Sequence, residues 1–101
     1  MSRKMLTVIV KESDQSHGAP LYTAFVQRLR NDGVAGATVH TGMMGYGRHH
    51  RIHHKGLFGV ADERPVTIIA IDEEQRLRRV IAGARDMLNG ALVMLVDVEL
   101  L

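Results

Sequence analysis

A chain of 101 residues is long enough for one hydrophobic core and too short for two of ordinary size. Its 46% hydrophobic and 24% charged residues describe a globular domain, neither a disordered nor a collagen-like chain. The lack of cysteine excludes disulfide frameworks, thiolate zinc sites and cysteine nucleophiles, and a formal charge of +2 gives no global bias toward nucleic acid or acidic lipid.

The basic start, Met1-Ser2-Arg3-Lys4, leads into an apolar stretch that ends at Lys11 without a cleavage-site pattern. No apolar run approaches the ~18 residues of a membrane span. The expectation is a soluble, cytoplasmic protein with one domain over residues 1–101. Met5-Leu6-Thr7-Val8-Ile9-Val10, rich in β-branched residues, predicts a buried strand. The polar, glycine-containing segment from Ser13 to Ala19 predicts a loop. Pro20 suits the first turn of a helix, where its missing N–H costs nothing. Leu21, Phe25 and Leu29 then recur every four residues as one apolar stripe, and Gly33 supplies the left-handed stop.

Ala37-Thr38-Val39-His40-Thr41 predicts a second strand. From Gly42 to Arg64 no period is sustained, an unusual length of irregular chain in so small a domain. Val66 to Ile71 predicts a third strand, opened by Pro65 where a missing donor is tolerated. Asp72 and Gln75 resemble a helix N-cap and its capping-box partner. The helix that follows places Leu77, Val80, Ile81, Ala84 and Leu88 on one side, with Arg76, Arg78, Arg79 and Arg85 as a basic outer surface. Asn89-Gly90 is the expected stop, and Ala91 to Leu100 the fourth strand.

The order β-α-β-β-α-β predicts an α+β, ferredoxin-like plait: a four-stranded antiparallel sheet with two helices on one face. Strands one, three and four are apolar on both alternating faces. An uncovered face of that kind is an aggregation hazard in a monomer, so the open faces are expected to pack together in an oligomer.

Several segments carry a family resemblance. They are Pro20-Leu21-Tyr22, the run from Leu29 to Val39, Gly42-Met43-Met44-Gly45-Tyr46-Gly47, Ile52-His53, Pro65-Val66 and Asp97-Val98-Glu99. Together, from about Lys4 to the C-terminus, they resemble the PII-like family catalogued as domain of unknown function 190. The resemblance implies a homotrimer related to the PII signalling proteins, with sheets facing the trimer centre. It also implies effector clefts between subunits, commonly for adenine nucleotides. A loop corresponding to about Gly45 to Arg64, the T-loop, would sense the ligand and contact a target protein. Asn89 and Gly90 lie where the related fold builds the opposing wall of that cleft. His49, His50 and His54 make the loop richer in histidine than the family pattern requires.

Gly42, Gly45 and Gly47 let backbone N–H groups approach a phosphate as an anion nest, although the spacing matches no nucleotide-binding fingerprint and no helix clearly follows. A strand end bending into a loop is the simpler account. Arg48-His49-His50-Arg51-Ile52-His53-His54-Lys55 is the densest chemical feature of the chain. Arg48 and Arg51 suit bidentate phosphate contacts, and His53 and Lys55 would assist or report occupancy. The simpler account is a solvated basic loop. Two i, i+4 pairs, His49/His53 and His50/His54, would face one way on a helical turn and form a Zn or Cu site. Neighbouring arginines oppose a dication there. Four imidazoles titrating together also make a pH sensor conceivable.

Ser13, Asp14 and His17 lie close in sequence without an oxyanion site, so local loop chemistry is expected rather than a triad. Asp97 and Glu99 read as a polar edge, and His40 as a structural histidine. Few aromatics are available to stack on bases, which argues against nucleic acid. The reading is a non-enzymatic regulator binding an adenine nucleotide through Gly42, Gly45, Gly47, Arg48, Arg51, His53, Lys55, Asn89 and Gly90. Its target would be a transporter, channel or enzyme. The alternatives are a metal-binding trimer resembling the CutA-type plait, using His49, His50, His53 and His54, or a ligand-free interaction module.

Overall fold

Residues Arg3–Lys11 form strand β1, in which Leu6, Val8 and Val10 are buried while the residues between them are only half-buried. That alternation places one face of the strand in the core and leaves the other to be covered differently. The structure is a computed structural model in which residues 2–46, 53–54 and 64–101 are described. After β1 come β2 (Gln15–Ser16), β3 (Ala19–Pro20), α1 (Leu21–Asn31) and β4 (Ala37–Thr41). β5 (Met44–Gly45), β6 (His53–His54), β7 (Pro65–Glu73), α2 (Glu74–Gly83) and β8 (Leu92–Asp97) complete the order.

The main sheet runs β4-β7-β1-β8, antiparallel throughout. Leu6, Val8, Val66, Ile68 and Ala70 meet Leu21, Phe25 and Leu29 of α1 and Leu77 and Val80 of α2 in one core. This is the α+β plait expected from the changes of hydrophobic period, with both helices on one face. On the other face the register aligns Met5 with Ile71 and Val96, Thr7 with Ile69 and Met94, and Ile9 with Leu92. Leu92, Met94 and Val96 there are 55%, 37% and 45% exposed, so among the described residues the second apolar face is uncovered.

Several boundaries differ from expectation, each for a local reason. Pro20 is not in the first helical turn. It closes the β2–β3 hairpin and stands at the N-cap of α1, where the Leu21 N–H donates to the Asp14 carbonyl at 2.7 Å. The expected loop before it therefore contains a two-residue ladder. The α1 stop is as expected, with Gly33 at φ +87°. α2 ends at Gly83 rather than near Asn89, because Ala84 leaves helical geometry at φ −112°, ψ 18°. A series of turns then keeps Ala84 and Leu88 buried, with the Leu88 N–H on the Ala84 carbonyl. β8 stops at Asp97, not Leu100, since Asp97 already pairs with Lys4 near the start of β1 and little partner strand remains.

Asp72 is not an N-cap. It lies in β7, 1% exposed, while Glu73 holds the cap position of α2 without a side-chain cap bond. Its carboxylate accepts from the Glu73 N–H at 2.7 Å, the Ala35 N–H at 3.0 Å and Arg76 Nη1 at 2.9 Å, with Arg3 Nη1 3.8 Å away. One buried anion thus ties β1, the α1–β4 connection and α2 to the central strand. Burial alone would push the Asp72 carboxyl up, but the Glu73 and Ala35 N–H groups and the Arg76 guanidinium outweigh it and hold it below the usual carboxylate value. At the same end of the sheet Lys4 is ion-paired to Asp97 and lies 3.8 Å from Glu74, which also accepts from Arg78 Nε at 2.7 Å.

Two predictions follow from these contacts. Asp72→Asn should cost about 2–4 kcal/mol at neutral pH, read from urea midpoints, because two amides and a guanidinium lose their anion. A carboxyl whose folded value is depressed stabilises fully above its unfolded value, roughly pH 4, and loses that contribution as pH falls toward the folded value. The gap between wild type and Asp72→Asn should therefore narrow below that pH. At the opposite end of the sheet, a Cβ on Gly42 would lie 2.6 Å from Pro65 Cγ and 3.3 Å from the Pro65 carbonyl oxygen. Gly42→Ala should thus cost about 1–3 kcal/mol by thermal melting. Gly36→Ala, with nothing within 4 Å of its Cβ, should cost less and serves as the control.

Candidate functional site

The register brings three connections to one end of the sheet. Thr41 pairs with Val66, Val66 with Val10, and Ile9 with Leu92. The β2–β3 hairpin, the segment leaving Gly42 and the turn before β8 therefore crowd together there. The Asp72 cluster occupies the other end. Chemistry and anchoring are separated along the strands.

The departure point of the long segment is closed by backbone. The Gly42 N–H donates to the Pro65 carbonyl at 2.7 Å, and the Glu12 N–H to the Arg64 carbonyl at 2.9 Å. Arg64 Nε adds an ion pair with Glu12 at 3.1 Å. Gly45 also packs on Pro65, where a Cβ would meet Cγ at 3.3 Å. The glycines are therefore required at least in part for this close approach to a rigid ring, as the strand-end account expected. The Gly42 N–H is taken by the Pro65 carbonyl, so Gly42 closes the stem and is not a donor left for an anion. Beyond them Met44 pairs with His54 and Gly45 with His53, extending the stem as a short ladder. Met43, Met44 and Tyr46 are 88%, 61% and 68% exposed on this stem.

Gly47, Arg48, His49, His50, Arg51 and Lys55 lie outside the described residues. His53 and His54 are in a strand, not the helical turn that the i, i+4 metal arrangement calls for. Among the described residues no three His, Asp or Glu side chains come together as a metal site.

Asn89 and Gly90 sit at the opposite edge of the same end. With Ile81, Arg85, Asp86 and Val93 they line an open cleft of about 590 Å³. Gly90, at φ +91°, makes the left-handed turn into β8. The sequence pattern places Arg85 on the outer surface of a helix; it is exposed, but α2 ends two residues earlier and the turn carries it into the cleft wall. Arg76 and Arg78, by contrast, are paired with Asp72 and Glu74. The signal that could have found Arg85 is Gly83, a poor residue for the interior of a helix.

Gly42 follows β4 and Gly90 precedes β8, and those strands are the two edges of the sheet. Three strand spacings, about 14 Å, separate them within one chain. The two groups of site residues are thus brought to one end but not into one pocket. The remaining polar candidates are structural or peripheral. Asp14 accepts from the Lys11 N–H at 2.9 Å through its carboxylate and from Leu21 through its carbonyl. His40 is exposed on edge strand β4, opposite Thr67 on the face away from the helices. No helix among the described residues is long and apolar enough to cross a membrane.

The fold recurs in solved structures. CPII of Thiomonas intermedia K12, described as a nitrogen regulatory PII-like protein bound to ADP, AMP and bicarbonate, matches with a TM-score of 0.74 at 20% identity, over 99% of this chain and 89% of that one. The divalent ion tolerance protein CutA1 of Ehrlichia chaffeensis matches with a TM-score of 0.67 at 10% identity, over 99% of this chain and 84% of that one. In sequence, a UPF0166 protein of Aquifex aeolicus is 32% identical over 101 residues, covering 100% of this chain and 95% of the relative. The family model DUF190, described as "Uncharacterized ACR, COG1993", matches residues 3–100, nearly the whole plait and both edges of the candidate site. The chain belongs to the DUF190 family, and its fold is that of the PII-like proteins.

Proposed function

We propose that the chain is a non-enzymatic PII-like regulator that acts in the cytoplasm as a homotrimer. It binds an adenine nucleotide between subunits and relays occupancy to a target transporter, channel or enzyme through residues 45–64. The observation that carries this reading is the placement of two complementary half-sites at one end of the sheet but on opposite edges. A cleft wall with Arg85, Asn89 and Gly90 stands at the β8 edge, and glycine-bearing backbone with Arg48 and Arg51 following in sequence leaves the β4 edge. Setting the β8 edge of one copy against the β4 edge of the next closes the halves into one site. The uncovered apolar face supplies the drive for that assembly.

In such a site Gly45 and Gly47 present backbone N–H groups to phosphate, Gly42 holds the stem beside them, and Arg48 and Arg51 supply bidentate contacts. Arg85 approaches from the neighbouring copy with Asn89 and Gly90. His53 and Lys55 adjust to the charge that arrives. That CPII, of the same fold, is bound to ADP, AMP and bicarbonate favours an adenine nucleotide as the effector. Relay follows by population shift: the nucleotide must prefer one arrangement of the 45–64 segment over another, or nothing is transmitted.

Calorimetric titration of tag-free, chelator-treated protein with AMP, ADP, ATP and cyclic nucleotides tests this directly. Saturable micromolar binding, one nucleotide per chain, is expected. Joint replacement of Arg48 and Arg51 should abolish it. Arg85→Gln should weaken it about tenfold, the effect of losing one charge-assisted contact. Silence toward every nucleotide with stoichiometric Zn or Cu uptake would transfer the function to His49, His50, His53 and His54. Light scattering should give three times the 11.2 kDa chain mass, and a monomer at working concentration would remove the inter-subunit cleft.

A further inference from the structure

A second cleft, of about 300 Å³, lies between the β2–β3 hairpin, α1 and the end of α2, and Asp86 is the one residue it shares with the cleft of the proposed nucleotide site. Ser16, His17, Arg28, Gly83, Asp86 and Met87 are in its walls. Its size is at the lower end of the range for small-molecule sites, suited to a compact ligand.

Three features prepare it chemically. Arg28 Nε donates to Asp32 Oδ2 at 2.8 Å, which fixes the guanidinium by one edge. Its Nη2 then occupies the space that a Cβ on Gly83 would need, so a glycine at this position admits the cation to the C-terminal end of α2. No basic residue of α2 itself stands in that last turn, and the helix dipole favours a cation there. His17 is held at φ +50°, a left-handed conformation uncommon outside glycine, and lines the same cleft as a second nitrogen donor. Asp86 supplies the opposite charge, and its carboxylate has no ion pair or hydrogen bond among the described residues.

A simple anion would meet Asp86, and a simple cation would meet Arg28. A ligand carrying both charges satisfies the cleft. We infer that this cleft binds a small zwitterion of the α-amino-acid class, with its carboxylate at Arg28 and His17 and its ammonium at Asp86. Met87 offers an adaptable apolar wall for the remainder. The site stands whether or not the chain binds nucleotide.

The test uses the full chain and two-dimensional amide NMR with titration of glycine, L-alanine, L-glutamine, L-glutamate and L-lysine. Acetate and methylammonium serve as the two separate halves of the ligand. At least one amino acid should give saturable shifts at the Ser16, His17 and Gly83 amides, with no response to either half at equal concentration. Asp86→Asn and Arg28→Gln should each weaken that binding about tenfold. Asp86→Asn changes an exposed side chain and decides the matter should Arg28→Gln fail to fold. The inference is overturned if no amino acid binds, if Asp86→Asn leaves affinity unchanged, or if acetate competes as well as the amino acid does.

Discussion

Two helices of eleven and ten residues can cover one face of a four-stranded sheet and no more, and most of what is distinctive in this chain follows from that constraint. The covered face carries the only continuous core among the described residues, from Leu6 to Leu88. The other face repeats the same apolar chemistry in register across three strands, with Leu92, Met94 and Val96 left in water. A sequence that spends so many apolar residues on an open surface is built to meet another surface. The same geometry puts the candidate residues after β4 and before β8 at one end of the sheet but on its two edges.

Buried charge sets the frame on which that sheet is hung. Asp72 accepts from the Ala35 and Glu73 N–H groups and from Arg76, and without it the two amides would lose their acceptor. It sits at the end of the sheet away from the clefts, so the anchoring end and the cleft-bearing end can vary independently. Lys4, Asp97, Glu74 and Arg78 add an exposed layer of pairing around it, which salt screens and which contributes modestly.

The plait was legible because hydrophobic period is a strong signal over nine-residue strands and four-residue helical repeats. Ala37–Thr41 was read to the residue, and the stripe Leu21, Phe25, Leu29 lies buried as its spacing required. The errors fall where a local motif competes with a tertiary partner. Asp72 has the chemistry of an N-cap, yet its side chain is drawn inward by Ala35 and Arg76, contacts 37 and four residues away. Ala84 and Leu88 keep helical spacing and are buried, but a chain of turns delivers them there just as well as a helix. That mistake also hid Arg85, whose position depends on where α2 stops. The candidate site was half legible: Asn89 and Gly90 line a cleft, while no periodicity could have said that Gly42 stands at the other edge of the sheet.

The stem of the long segment has a further consequence. Gly42 against Pro65, and Glu12 against Arg64, bring the two ends of that segment together on the sheet itself. Once the ends are joined, doubling the length between them costs only about 0.6 kcal/mol in closure entropy. The sheet therefore behaves as a socket with two fixed terminals, into which segments of different length and composition can be spliced without disturbing the register of β4 and β7. The segment between those terminals can be exchanged while the scaffold that carries it stays as it is.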